Sequence, residues 1–286
     1  MATSTEKPKR SQEPVVERDG TVCVLLDEPV RPLAYGYMLS LRVPTSIAEQ
    51  THLGHYFMVR CAPAGRPARY HDWSIYKRLP LSVTDISIRN PRNEQFSRLD
   101  LFFAHTDHLS SDWLLSLQPA SALNVIGPLG KAVEIPAPVR TLLLVAPYAR
   151  VPALLPAVHC VLDRGGRVTL LVVESGRDNE ILRHLPLAVE VQELLSLTGD
   201  RERLLAGVRW ADAMFFSVHQ SQYGYVRDII AQARFRLEPN FAYVLTAADL
   251  LCGFGACLAC VVPTLSGRFT RACVHGPLID FSELAS

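Results

Sequence analysis

LCGFGACLACVVPTLSGRFTRACVHGP, Leu251 to Pro277, places Cys252, Cys257, Cys260 and Cys273 at C-x4-C-x2-C-x12-C. Four thiolates in this order suit a 2Fe-2S cluster, because each tetrahedral iron takes two cysteine sulfurs and the chain must curl around the inorganic core. Gly253, Gly255 and Ala256 lie between the first three cysteines. Small residues fit a loop whose N–H groups point at sulfur and whose side chains must not crowd the cluster. Structural zinc is the chemical rival for four thiolates. A zinc knuckle, however, pairs two short C-x2-4-C units, whereas here one compact triplet is joined by a single distant cysteine.

The chain around this loop has 286 residues, 49% of them hydrophobic, which is enough for a large core and two or three domains. Its net charge is +1 and its 29 basic residues are scattered, so composition points to neither nucleic acid nor an anionic membrane as a general partner. The opening MATSTEKPKRSQEPVVERDG is polar and has no apolar h-region; residues 1–20 read as a flexible tail, not a secretory signal. No run of uncharged apolar residues is long enough to predict a transmembrane segment. Of the seven cysteines, Cys23, Cys61 and Cys160 sit in apolar contexts and read as small buried hydrophobes. An odd count without a second paired spacing argues against a secreted disulfide framework, and a cytoplasmic location is expected.

Upstream of the loop, residues 21–135 carry the β-rich runs TVCVLLDEPV, YGYMLSLRVP, HYFMVRCA, LPLSVTDISI, SRLDLFFAH and ALNVIGPLG. Broken by Pro, Gly, Asn and Asp, they predict a closed antiparallel barrel of roughly six strands. Ser110 to Gln118, SSDWLLSLQ, has helical spacing and predicts a short helix across one barrel end, with Ser110 and Ser111 at its start. Pro136 to Pro138 is a linker. Beyond it, residues 139–246 alternate strand-like runs (TLLLVAP, RVTLLVVES, LAVEVQEL, Ala213 to Val218, FAYVLTAAD) with helical stretches at VPALLPAVHCVLDRG, Asn179 to Leu185 and Tyr225 to Ala233. That alternation predicts a Rossmann-like open α/β layer. Residues 247–286 then form a small cluster module.

The runs CGFGACLACVV and CVHGPLIDFSEL resemble the C-terminus of the electron transfer subunits of NAD-linked dihydroorotate dehydrogenases, within the ferredoxin-reductase-like flavoprotein superfamily. Barrel, α/β domain and cluster loop follow in that family's order. The resemblance implies an FAD-binding barrel, a ferredoxin-reductase-type α/β domain and a 2Fe-2S module. It also implies a shuttle in a hetero-oligomer, with electrons passing between FAD and an FMN-containing dihydroorotate dehydrogenase catalytic subunit. No amino-acid general base is required for such a step, so no catalytic side chain is expected.

The same resemblance nominates FAD contacts. Arg78-Leu79-Pro80-Leu81-Ser82-Val83 is similar to the family's flavin-binding strand, which carries an arginine directly before Pro-Leu/Ile-Ser. Here Leu79 occupies that position and Arg78 comes one residue earlier, a slip that reverses the strand face. Ser110 and Ser111 stand where the family has a Gly-Thr pair for the pyrophosphate. Gly127-Pro128-Leu129-Gly130 matches the tight turn leaving the barrel, so Gly127 and Gly130 join Arg78, Leu81, Ser82, Ser110 and Ser111 as cofactor-binding candidates.

The nicotinamide side departs further from the family. Its Gly-Gly-Gly-x-Gly turn is replaced by Val145-Ala146-Pro147-Tyr148-Ala149-Arg150-Val151-Pro152, and its Cys-Gly-Pro turn by Ser217-Val218-His219. Pro147 removes a donor and Tyr148 adds bulk, while Arg150 offers a charge to a phosphate. The expectation is an α/β domain kept as scaffold with its hold on NAD(H) lost. His71, Asp72, His105, Asp107, His108, Glu174, Asp178 and His275 read as solvated or turn residues. Trp73, Tyr76 and Trp113 read as core or interface. Competing functions are a reductase subunit for another redox protein, such as a hydrogenase or a sulfide-linked enzyme, and a flavin-less scaffold that keeps a cluster.

Overall fold

The computed structural model describes residues 13–61, 78–87, 95–104, 108–173 and 181–285. Its first layer is built from β1 (Val15–Val16), β2 (Val22–Leu26), β3 (Arg31–Leu33), β4 (Gly36–Pro44), β5 (Tyr56–Arg60), β6 (Arg78–Ser87), β7 (Phe96–Ala104) and β8 (Ala122–Leu129). They follow the order β1-β2-β8-β5-β6-β7-β4-β3, and β2 also pairs with β4, which closes six of them into an antiparallel barrel. Those six are the six runs read from the sequence. Closure removes the free edges that short antiparallel strands would otherwise expose. Inward positions such as Leu39, Leu41, Leu81, Leu99, Leu101 and Val125 fill the interior. Val15–Val16, inside the predicted flexible tail, is instead paired with Val22 and Cys23.

The helix His108–Leu115 crosses at the barrel, with Leu114 buried in its core and Trp113 packed against it. Ser110 and Ser111 are its third and fourth residues rather than its cap. Trp73, Tyr76, His71, Asp72, His105, Asp107, Glu174 and Asp178 lie outside the described residues.

The α/β layer contains β9 (Thr141–Ala146), β10 (Arg167–Val173), β11 (Val189–Leu194), β12 (Ala213–Phe216) and β13 (Ala242–Leu245), all mutually parallel. β9, β10, β12 and β13 are almost continuously buried, as expected of strands covered on both faces. A helix at Arg201–Trp210, absent from the sequence reading, lies between β11 and β12 and buries Leu204, Leu205 and Val208.

β14 (Val261–Pro263) and β15 (Phe269–Arg271) form a hairpin, and β16 (Leu278–Asp280) pairs antiparallel with β13 at the edge of the α/β sheet. The cluster module is therefore stitched into the second layer. Phe281 continues the tie, meeting Phe216 edge to face at 4.9 Å and Tyr223 at 5.4 Å between ring centroids. One buried cluster joins Tyr56 and Met58 of the barrel to Cys260 and Cys273 and to the helix-facing side of the sheet. Another joins Met38 and Phe102 to Tyr148 and Leu154. The three sequence segments thus share continuous cores.

Candidate functional site

The cysteine loop is held two sulfurs at a time. Cys252 lies beside Cys257 in the loop, and Cys273 lies beside Cys260, whose sulfur accepts from the Cys273 N–H. The β14–β15 hairpin consumes most of the x12 spacer and pairs Val261 with Arg271, while the Ala272 N–H donates to the Cys260 carbonyl at 2.9 Å. A distant cysteine in sequence becomes a neighbour in space. Gly253 and Gly255 take φ of +79° and +73°, a left-handed curl that a side chain would strain.

The curl aims backbone donors at sulfur. Phe254 N–H reaches Cys252 Sγ at 3.4 Å, and Cys273 N–H reaches Cys260 Sγ at 3.4 Å. N–H groups of Cys257, Phe254 and Ala256 hold the Cys252 thiol well below its ordinary pKa, whereas burial, with Cys260 alongside, pushes Cys273 up. Among the described residues, no group of three or more His, Cys, Asp or Glu side chains converges on a single-ion position. Two pairs in one small loop fit a two-iron core, with two sulfurs per iron, better than one tetrahedral zinc. Cys260 and Cys273 are buried and Cys257 is exposed, which gives the loop an inner pair and an outer edge. His275, next to the loop, is exposed.

The inner pair abuts the barrel. Tyr56, fully buried on β5, donates its hydroxyl to the Cys273 carbonyl at 3.1 Å. Burial, and then the neighbouring Cys273, Cys260 and Cys252 sulfurs, raise its pKa. Tyr56 also lines a cavity of about 500 Å³ between barrel and α/β layer, with Tyr35, Pro80, Ser82, Phe102, Arg150, Asp249 and Pro277 around it.

Strand register makes this wall. Tyr56 pairs across to Ser82, and Ser82 pairs across to Phe102, so the three stand in a row on one sheet face. The lining is aromatic and apolar with a few polar groups, and it fits a flat heteroaromatic ring of the flavin kind. Ser82 of the candidates lies on it. Leu81 does not: side chains alternate along β6, and Leu81 is fully buried inside the barrel. Arg78 shares the parity of Pro80 and Ser82 but is engaged elsewhere. Its guanidinium donates to the Met58 carbonyl at 3.3 Å, the Asn124 carbonyl at 3.2 Å and Asn124 Oδ1.

Gly127 and Gly130 serve packing at the barrel exit. A Cβ at Gly127 would run into the Phe57 ring. Gly130, at φ +91°, leaves no room for one against the Gly276 carbonyl, which also accepts from Lys131 N–H at 2.9 Å. Tyr56 and Phe102 were not singled out by sequence, because each reads locally as an ordinary strand residue. Only register and the barrel-to-cluster contact reveal them.

A second cavity, of about 410 Å³, opens at the carboxyl ends of β9, β10 and β12, where the strand order reverses around β9. Arg150 and Ala247 line both cavities. Tyr148 does not obstruct this space, contrary to the expectation from sequence. Its ring is buried on the other side, parallel to Tyr35 at 6.3 Å, with its hydroxyl donating to Glu193.

Residues 248–285 match the protein family described as the iron-sulfur cluster binding domain of dihydroorotate dehydrogenase B. The chain is also 46% identical over 35 residues to the "Dihydroorotate dehydrogenase B (NAD(+)), electron transfer subunit homolog" of Aquifex aeolicus (strain VF5). That stretch is 12% of this chain and 14% of the relative. The resemblance read from the cysteine loop is thereby supported in the loop itself.

Outside residues 248–285 the likeness is one of fold. The structure of an NADH-dependent reduced ferredoxin-NADP oxidoreductase superposes with a TM-score of 0.64 at 19% identity, covering 92% of this chain and 89% of that one. Phthalate dioxygenase reductase superposes with a TM-score of 0.54 at 12% identity, covering 91% and 78%. Barrel and α/β layer thus have the ferredoxin-reductase-like fold. No helix among the described residues is long and apolar enough to cross a membrane.

Proposed function

We propose that this protein is an iron-sulfur flavoprotein electron transfer subunit, relaying electrons between FAD and an FMN-containing catalytic subunit that oxidises dihydroorotate. The observation that carries this reading is one continuous line of contacts. The ring-sized cavity is walled by Tyr56, Tyr56 is bonded to the Cys273 carbonyl, the Cys273 N–H is bonded to Cys260 Sγ, and Cys257, separated from Cys260 in the same loop by Leu258 and Ala259, reaches the surface. When bound, the cluster supplies one-electron steps and the flavin a two-electron reservoir.

The chain's own residues orient, insulate and dock. Tyr56 fixes the distance between cavity and cluster loop, while the surrounding apolar core excludes water. Phe254, Leu258, Leu265 and Phe269, with Leu251 alongside, are exposed around the same loop. An apolar rim next to the outer cysteines suits a protein partner that must approach the cluster closely. The reading places the protein in the cytoplasm, where a reducing environment preserves thiolates.

Electrons do not enter through NAD(H) in this reading. The turn after β9 has no glycine, and Pro147 has no N–H to offer a pyrophosphate. Anaerobic purification followed by iron, sulfide, FAD and FMN quantification tests the proposal. About two iron, two sulfide and one FAD per chain are expected, with no flavin bleaching on addition of NADH. Recovery of zinc or of no flavin would sink it, as would oxidation of dihydroorotate by the purified chain alone. Co-purification with an FMN protein, lost in Phe254→Glu, tests the docking part.

A further inference from the structure

The cavity at the carboxyl ends of the parallel strands holds a cation without a side-chain partner among the described residues. Arg150 follows Pro147 in the turn leaving β9, within the 3-10 helix Tyr148–Leu154. It is partly buried, and among the described residues its guanidinium has no hydrogen bond or ion pair; burial alone lowers its pKa. Withdrawing a guanidinium from water without a partner is costly.

Asp249 lines the adjoining cavity with Arg150 but forms no ion pair with it. His219 stands at the rim of the strand-end cavity with its Nδ1 held by Ser221, 2.8 Å from the hydroxyl and 3.3 Å from the N–H. None of the described lining residues is acidic, and Val173, Leu195, Leu197 and Val218 supply an apolar wall. A volume of about 410 Å³ suits a small molecule. The position, beside the reversal of strand order, is where open α/β sheets take ligands.

We propose that this cavity binds a small molecule with an apolar ring or chain and one oxyanion, carboxylate or phosphate ester, and that Arg150 takes the oxyanion. A dinucleotide is disfavoured because the glycine-free turn cannot cradle a pyrophosphate. Arg150 also lines the cavity shared with Tyr56, so an occupant reaches the neighbourhood of the relay without entering it. This inference concerns binding alone and stands whether or not the relay operates.

The purified full-length chain is titrated by calorimetry and thermal unfolding with benzoate as the carboxylate, phenyl phosphate as the phosphate ester, benzamide as the neutral isostere of benzoate, and NADH. At least one of the two anions binds more tightly than roughly 1 mM, raising the melting temperature by a few degrees, and it outcompetes benzamide and NADH. Which one binds identifies the oxyanion. Arg150→Gln weakens that binding about tenfold or more, whereas Arg150→Lys retains part of it. Without ligand, Arg150→Gln melts no lower than the wild-type chain, because an unpaired cation has been removed. The proposal is overturned if neither anion binds, if benzamide or NADH binds as well as the better anion, if Arg150→Gln binds normally, or if that variant melts well below wild type.

Discussion

Tyr56 joins two parts of the site through one hydroxyl, and its contribution is separable from that of its ring. Tyr56→Phe keeps the cavity wall but leaves the buried Cys273 carbonyl without this donor. The expected loss is about 1 kcal/mol in urea unfolding, with flavin and iron content unchanged. A flavin content that fell with the hydroxyl would show that Tyr56 acts on the cofactor, not on the loop. Gly130 is the second residue on which cavity and cluster loop depend. Gly130→Ala must relieve both φ +91° and a collision with the Gly276 carbonyl, at a cost of at least about 2 kcal/mol. Iron released on gel filtration at unchanged barrel content is the signature to look for. The four cysteines were legible in the sequence because their spacing is a local property of the chain. Tyr56 and Phe102 were not, since their partner Ser82 is fixed by register across strands distant in sequence. Leu81 was misplaced, and Arg78 misdirected, for the same reason: the motif supplies identity, and the pleat and neighbouring acceptors decide direction.

Single elements were easiest to read where burial was uniform. β9, β10 and β13 announce themselves as unbroken apolar runs, and the six barrel strands as alternating ones. Arg201–Trp210 escaped notice because three arginines and a glutamate obscure the stripe of Leu204, Leu205 and Val208. β16 escaped because three residues carry no period. Yet β16 and the turn after it attach the cluster module to the sheet, and Arg227 holds that turn. Its guanidinium donates to the Leu284 carbonyl at 2.7 Å and the Phe281 carbonyl at 3.3 Å, and it lies 4.6 Å from the Phe281 ring centroid. Arg227→Ala removes these charge-assisted bonds and the ring contact together, with an expected loss of about 2–3 kcal/mol. Because the attachment is local, iron should leave this variant at lower urea than the parallel sheet melts by circular dichroism. Coincident transitions would mean that β16 is integral to the sheet's own folding unit.

For the whole molecule, the alignment of barrel against α/β layer decides whether the cavity keeps its shape, and sequence carries no direct record of that alignment. The helix Leu155–Leu162 faces β6, and there His159 Nδ1 lies 3.4 Å from Asp85 Oδ1. The hydrogen bond to Asp85 raises the His159 pKa, against a smaller opposing effect of burial. A folded-state pKa above the unfolded value, near 6.5, means that the contact stabilises fully below that value and fades as pH rises through the folded pKa. Both side chains are about a third or more exposed, at 34% and 41%, so solvent screening holds the contribution to roughly 0.5 kcal/mol or less. Wild type and His159→Asn should therefore differ in urea midpoint at pH 5.5 and converge by about pH 8.5. Asp85→Asn should behave like His159→Asn, and the double variant like either single one. High salt should shrink the low-pH difference, since an exposed pair is screened over about 10 Å or less. A difference that persists unchanged at pH 8.5 would assign His159 a packing role against the barrel, and the two layers would then be aligned by their shared apolar core alone.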